Sequence, residues 1–308
     1  MLSNRLFLLA TTALAPVLWG TTYLTTTTLL PADRPFLAAF LRALPAGILL
    51  LMLCRRLPRG AWWWKSWVLG VLNIGAFFAL LFIAAYRLPG GVAAIVGGLQ
   101  PLVVAVLASR VLHERMTGRV LASGATGAFG VSLIVLQSQA RLDAIGILAA
   151  VGGTVCMASG IVLSKKWGQP APLLATTSWQ LIAGGLSLLP VLLLLEGLPS
   201  TPLTVTNLAG YAYLAVAGTA FAYVVWFHGI AGLPASTIAF LGLLSPVVAI
   251  VLGWAIAGEH LAPIQIAGIV IVLGSIAAVI VARGPNPDRS LNRRGSTVTR
   301  ARSRWTLR

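Results

Sequence analysis

The sequence predicts an all-α membrane protein: ten transmembrane helices forming two inverted five-helix repeats, with both termini in the cytoplasm. Three observations carry that expectation. The first is composition: the 308 residues are 58% hydrophobic and 9% charged, with a mean hydropathy of +0.93. Soluble domains carry about 25% charge, so the solvent for so much apolar surface is hydrocarbon. The second is a doubled segment. Residues 88–114, LPGGVAAIVGGLQPLVVAVLASRVLHE, recur in register at residues 233–259, LPASTIAFLGLLSPVVAIVLGWAIAGE, and ten of the 27 positions are identical. One offset of 145 residues relates both Leu-Pro pairs, Gly97 to Gly242, Pro101 to Pro246 and Glu114 to Glu259. A period near half the chain marks two copies of one unit. The third is the sorting of basic residues between the two sides of the membrane.

A spanning helix needs roughly 20 apolar residues. On that measure the chain holds ten spans, at 6–29, 35–54, 66–87, 90–112, 119–137, 143–164, 173–195, 207–228, 235–257 and 263–282. Helix breakers separate several of them, including Pro31, Pro58, Pro89, Pro170, Pro199 and Pro234. Residues 1–137 form the first repeat and 138–282 the second. The apolar run from Leu6 continues to Leu30, too long for the core of a signal peptide, so the first span is expected to stay uncleaved. Residues 283–308 hold eight arginines and almost no aliphatic side chains, the composition of a disordered tail or one lying on anionic headgroups.

With ten spans, 18 of the 22 Lys and Arg fall on one side of the membrane. Three (Arg34, Arg87 and Arg141) fall on the other, and Arg42 lies within a span. That bias places both termini in the cytoplasm. Five spans per half is an odd number, so the second half is inverted relative to the first. Glu114 then sits at the cytoplasmic edge and Glu259 at the external one. Inverted repeats are an architecture of alternating-access carriers, whose sites lie at the midplane between the halves.

Several function classes lack their chemistry here. The charge of +16 resides in the tail and at span edges, without any nucleic-acid-binding pattern to receive it. Cys54 and Cys156 are isolated within apolar runs, making neither a disulfide framework nor a metal site. No His-Glu-x-x-His, Gly-x-Ser-x-Gly or phosphate loop occurs. The six acids and three histidines lie in loops, in the tail or at span ends. An enzyme is therefore not expected, and neither is a cofactor or metal.

The mid-span prolines point elsewhere. Proline lacks the N–H that would bond the carbonyl four residues earlier, and here those residues are Gly97 and Gly242. Pro101 and Pro246 should kink their spans and free two carbonyls at depth, tolerated only beside protein, water or a ligand. One reading is a packing kink; the other is a carrier's binding site or gate, which Gln100 beside Pro101 favours. Further polar and aromatic groups lie deep in spans: Trp19 and Tyr23 one helical turn apart, Asn73 with Phe77, Trp179 with Gln180, and Tyr223 in the eighth span. Each fits packing as well as ligand contact, but polar groups at depth usually face the bundle interior. Trp62, Trp63, Trp64 and Trp67 read as an interface belt. Arg42, about 10 Å from the outer edge at 1.5 Å per residue, is either a structural arginine, snorkelling or bonded to carbonyls, or a carboxylate-binding one.

The doubled Leu-Pro…Gly-x-x-x-Pro…Glu segment, with Trp19-Gly20 in the first span, resembles the EamA-type repeat of the drug/metabolite transporter superfamily over residues 5–282. Within it the chain looks like bacterial exporters of aromatic amino acids. The resemblance implies ten helices, a central cavity, residence in the bacterial inner membrane and export from the cytoplasm. A monomer in the lipid bilayer, moving a small metabolite by alternating access without ion coupling, is expected. Drug, purine or sugar-derivative export is the alternative within transport; a membrane-embedded enzyme or lipid scramblase is the alternative outside it. The expected substrate-binding set is Trp19, Tyr23, Arg42, Asn73, Phe77, Gln100, Trp179, Gln180 and Tyr223, with Gly97, Pro101, Gly242 and Pro246 as kinks or gates.

Overall fold

Apolar runs of this length satisfy their backbone internally as helices. The structure, a computed structural model, describes residues 2–87, 96–135, 143–199, 202–258 and 260–282. The side chains of Leu2, Ser3, Tyr23, Phe82, Ala85, Tyr86, Val135, Ala257 and Ala282 are outside the described set, as are Glu259 and the basic tail. Among the described residues there is helix and no strand.

The first run is α1 (Leu2–Gly20) and α2 (Thr22–Leu29). They are interrupted at Thr21, whose hydroxyl donates to the Leu18 carbonyl and accepts from the Tyr213 hydroxyl. Next is α3 (Pro35–Cys54), which starts on Pro35 and has Glu196 accepting from the N–H groups of Phe36 and Leu37. A carboxylate on a helix N-terminus satisfies orphan donors and opposes the dipole. Then α4 (Trp62–Gly70) passes through a π turn, Val71–Gly75, into α5 (Ala76–Arg87). A short apolar helix, Val96–Val111, turns at Leu99 into α6 (Gln100–Val111), and α7 (Gly118–Val135) follows.

The second half opens with α8 (Ala144–Trp167), capped by Asp143, and α9 (Leu173–Leu195). Its third helical run starts at a Thr204–Asn207 capping box, with α10 (Val205–Ala215), a second π turn at Val216–Phe221, and α11 (Ala222–Gly232). Then come α12 (Ala235–Gly242), α13 (Leu244–Ala257) and α14 (Pro263–Ala282). The two π turns lie 145 residues apart, the offset of the doubled segment.

Eight helical runs among the described residues are long and apolar enough to cross a membrane: Asn4–Leu29, Pro35–Cys54, Trp62–Leu81, Ala144–Trp167, Leu173–Leu195, Val205–Gly232, Ala235–Ile256 and Pro263–Val281. The expected fourth span, 90–112, begins outside the described residues, and α7 is a further helix of 18 residues. The third run begins at Trp62 rather than at residue 66, so the tryptophan cluster belongs to the helix.

The helices pack in pairs across the halves: α3 along α9, α7 along α14, α5 along α8 and α1 along α11. Two pairs are antiparallel and held by small residues. Gly47 closes on Ile182 while Gly185 closes on Leu44, and Gly130 faces Gly268. A methyl group on Gly185 would come within 2.8 Å of Leu44, so only glycine permits that approach. At one end Glu114 accepts from the N–H of Ala235, so the glutamate closing the first copy of the doubled segment caps the helix opening the second.

Candidate functional site

A cavity of about 460 Å³ lies between the halves. The two copies of the doubled segment meet there. Gly97, Gly98 and Gln100 come from the first, and Gly242, Ser245 and Pro246 from the second. Gln100 and Ser245 are equivalent positions at the 145-residue offset, as are Gly97 and Gly242. Both helices turn just ahead of their prolines, through i→i+3 bonds from Leu99 to Val96 and from Leu243 to Phe240. Neither proline can bond the carbonyl of its glycine. A Cβ on Gly97 would meet nothing within 4 Å, because that face of the backbone is the cavity wall.

Trp19 and Gly20 on α1, Phe77 and Leu81 on α5, and Gly153 and Thr154 on α8 complete much of the wall. Among the described residues, none in the lining carries a charge. The polar side chains are Gln100, Ser245, Thr154 and the Trp19 indole, whose N–H donates to the Gly218 carbonyl at 3.1 Å. Most of the wall is therefore apolar and aromatic, with a few polar groups placed among it, the usual make-up of a small-molecule site.

Of the residues the sequence singled out, Trp19, Phe77, Gln100, Gly97, Gly242 and Pro246 line this cavity. Pro101 is buried in α6 behind it. The Tyr23 side chain lies outside the described residues. Arg42, Asn73, Trp179, Gln180 and Tyr223 are not in its wall; all five side chains are buried, with Trp179 and Gln180 bordering other cavities.

Arg42 donates from Nε to the Thr219 hydroxyl at 2.9 Å and from Nη2 to the Gly218 carbonyl at 2.9 Å, with its guanidinium over the Phe78 ring. Of the alternatives the sequence leaves, this is the carbonyl-bonded structural arginine: it neither snorkels nor meets a carboxylate among the described residues, because a π turn leaves carbonyls open to outside donors. Tyr223 packs between Trp19 and Phe227, its hydroxyl donating to the Asn73 carbonyl at 3.4 Å. The Asn73 amide donates to Gln180 at 3.1 Å and to Ser164 at 3.3 Å. These residues lie between the spans, and Ser164 and Gln180 border a separate cavity of about 190 Å³.

Trp179 is drawn to a different place. Its indole donates to the Arg56 carbonyl at 2.7 Å, and its ring lies 6.5 Å from that of Trp62. Trp62 thus turns inward, away from the expected belt, while Trp63, Trp64 and Trp67 are exposed. Sequence reasoning missed Ser245, Thr154 and the Gly218–Thr219 pair. The repeat could have supplied Ser245, which precedes Pro246 as Gln100 precedes Pro101. Thr154 carries no such signal.

Comparison with known proteins decides the class. The EamA-like transporter family matches twice, over residues 6–136 and 144–281. The chain belongs to this family. It is an integral membrane protein and a transporter, not an enzyme. It is 47% identical to the protein PecM of Dickeya dadantii over 267 residues, covering 86% of this chain and 89% of that one. It is 28% identical over 211 residues to a probable amino-acid metabolite efflux pump of Salmonella typhimurium, covering 65% and 70% of the two chains. A solved crystal structure superimposes with a TM-score of 0.76 over 89% of this chain and 98% of that one, at 20% identity. That likeness concerns the fold alone.

Proposed function

We propose that the protein exports a small metabolite with an aromatic or bulky body, an amino acid or amino-acid derivative, by alternating access about the central cavity. The observation carrying this is that equivalent residues of the two copies, Gly97 with Gln100 and Gly242 with Ser245, line one aromatic-walled space in which no described lining residue is charged. In this reading ten helices form two inverted five-helix halves, residues 1–137 and 138–282. The antiparallel pairing of α3 with α9 and of α7 with α14 supports inversion. Both termini and the 283–308 tail are cytoplasmic, and the protein works as a monomer in a bacterial inner membrane. Trp19 and Phe77 stack on the body of the substrate, while the Gln100 amide and the carbonyls of Gly97 and Gly242 hold its polar end. The name of the Salmonella relative accords with such a substrate.

The absence of charge among the lining residues favours a second reading, an uncharged heterocycle of purine or drug type rather than a free zwitterion. Efflux from proteoliposomes loaded in turn with phenylalanine, tryptophan, a neutral tryptophan ester and adenine separates the two. Saturable release of the free amino acids supports the first reading, and release restricted to the uncharged compounds supports the second. No saturable release of any member overturns both.

Among the described residues no acid or histidine lines the cavity, so none of them offers a group there to couple a proton to access. Transport is then facilitated diffusion down the substrate gradient. A pH step of about two units across proteoliposomes should leave the final substrate distribution equal on both sides; accumulation against the gradient would overturn uniport.

A further inference from the structure

A second cavity, of about 710 Å³, lies at the end of α3 where the chain turns into α4. Its wall includes Arg55, Arg56, Arg59, Trp62 and Trp179, and no acidic residue. The three arginines are exposed, and none forms an ion pair among the described residues. Free arginine side chains on a surface loop are ordinarily only solvated, but this loop is held in shape. Arg55 ends α3 in the left-handed region at φ 49°, the Arg56 carbonyl accepts from the Trp179 indole, and the Arg59 carbonyl accepts from the Trp62 N–H at 3.1 Å. Like charges are thereby kept together around one space, an arrangement that an anion relieves.

The neighbourhood says which kind of anion. Beside the arginines, Met52, Leu53 and Leu57 are 60%, 67% and 61% exposed, and Trp63 is 59% exposed. A soluble anion has no use for that apolar rim, whereas an amphiphile uses both parts at once. We propose that this cavity binds an anionic phospholipid, its phosphate held by Arg55, Arg56 and Arg59 and its acyl chains lying on Leu53 and Leu57. The face is the one assigned above to the cytoplasm, where the inner leaflet supplies anionic lipid. Basic pockets between helices on that side suit such headgroups. Through Trp179 the loop is tied to the first turns of α9, next to the Gln180–Asn73 contact. A bound headgroup therefore bears on the π turn of the third helical run.

The full chain, purified in neutral detergent, is titrated with phosphatidylglycerol or phosphatidylcholine and read by native mass spectrometry. Phosphatidylglycerol should bind stoichiometrically and phosphatidylcholine should not. The triple variant R55Q/R56Q/R59Q should bind phosphatidylglycerol on the order of a hundredfold more weakly. A charge-matched control elsewhere on the same face, R110Q/R119Q/K166Q, should bind it as the parent does. Equal binding by the triple variant, or equal loss in the control, overturns the site. A competition arm distinguishes the sources of phosphate. Glycerol phosphate or inorganic phosphate displacing the lipid at equal concentration would assign the arginines to a soluble anion and overturn the lipid proposal.

Discussion

The two π turns, Val71–Gly75 and Val216–Phe221, occupy equivalent places in the two halves and hold the bundle by different chemistry. In the first, the position 145 residues before Gly218 is Asn73, whose side-chain amide makes the shorter contacts, to Gln180 and Ser164, while its carbonyl accepts the Tyr223 hydroxyl at 3.4 Å. In the second, Gly218 has no side chain, so its carbonyl takes the donors itself, the Arg42 guanidinium and the Trp19 indole. A π turn spares backbone groups from the helical ladder, and each half satisfies that geometry with what its sequence supplies. The asymmetry matters because the second turn is hydrogen-bonded directly to a residue of the cavity wall, Trp19. The first reaches the loop side, where Gln180 adjoins Trp179.

The largest effect is expected from Arg42. Arg42→Ala removes two hydrogen bonds from an ionised donor, the contact with Phe78, and the packing of a 7%-exposed side chain. Relief from burying a charge offsets part of this, leaving a net loss of about 3 kcal/mol. In detergent that should lower the unfolding midpoint by about 6–12 °C. Arg42→Lys should recover less than half, since an ammonium cannot fork between Gly218 and Thr219. An Arg42→Ala midpoint within 2 °C of the parent, roughly the spread of a neutral surface change, would show that the second turn does not depend on the arginine.

Much of this comparison was readable in the sequence, and its limits have physical causes. The 145-residue offset, the kinks at Pro101 and Pro246, and the depth of Trp19, Phe77 and Gln100 all follow from local chemistry and repeat position. The π turns do not, because a one-residue widening of a helix leaves no mark in hydropathy. Without them nothing in the sequence decides between a carbonyl-bonded Arg42 and a carboxylate-binding one, or between Asn73 as packing and Asn73 as a ligand contact. Depth along a span separates lipid interior from interface, but it does not separate a cavity wall from the packed layer behind it. For that reason Arg42, Asn73, Trp179, Gln180 and Tyr223 were grouped with residues they do not join. The rotation of each helix about its axis decides such questions, and it is set by partners such as Ile182 against Gly47 that lie far away in sequence.

A smaller effect is expected at the first turn. Asn73→Ala loses two neutral hydrogen bonds, worth about 1–2 kcal/mol together inside a bundle. Gln180→Ala should cost a similar amount by leaving the amide half-satisfied. If the pair acts as a unit, the double variant N73A/Q180A should cost little more than either single change, and a double-mutant cycle in thermal unfolding reads this directly. Strictly additive losses would mean that Ser164 and the Tyr223 hydroxyl carry the turn, with the amide pair incidental.

The smallest effect on stability, and the most informative for the comparison, belongs to Trp19. Trp19→Phe keeps an aromatic ring against Tyr223 and Trp226, whose centroids lie 5.2 and 5.0 Å away, and removes only the N–H donated to Gly218. The carbonyl remains satisfied by Arg42, so no buried acceptor is orphaned and the loss should stay below about 1 kcal/mol. The same change alters the cavity, because a phenyl ring is smaller than an indole and no longer fixed by its hydrogen bond. Substrate flux should therefore change more than stability does, with a several-fold rise in half-saturation concentration and a midpoint within about 3 °C of the parent. Gly97→Val, which adds bulk where a Cβ meets only open space, should impair flux in the same stability-sparing way. If Trp19→Phe lowers stability as much as Arg42→Ala, the indole is a strut of the second turn, and the cavity wall lies elsewhere. If neither flux nor stability moves, Trp19 serves neither role, and the contrast between the turns reduces to Arg42 alone.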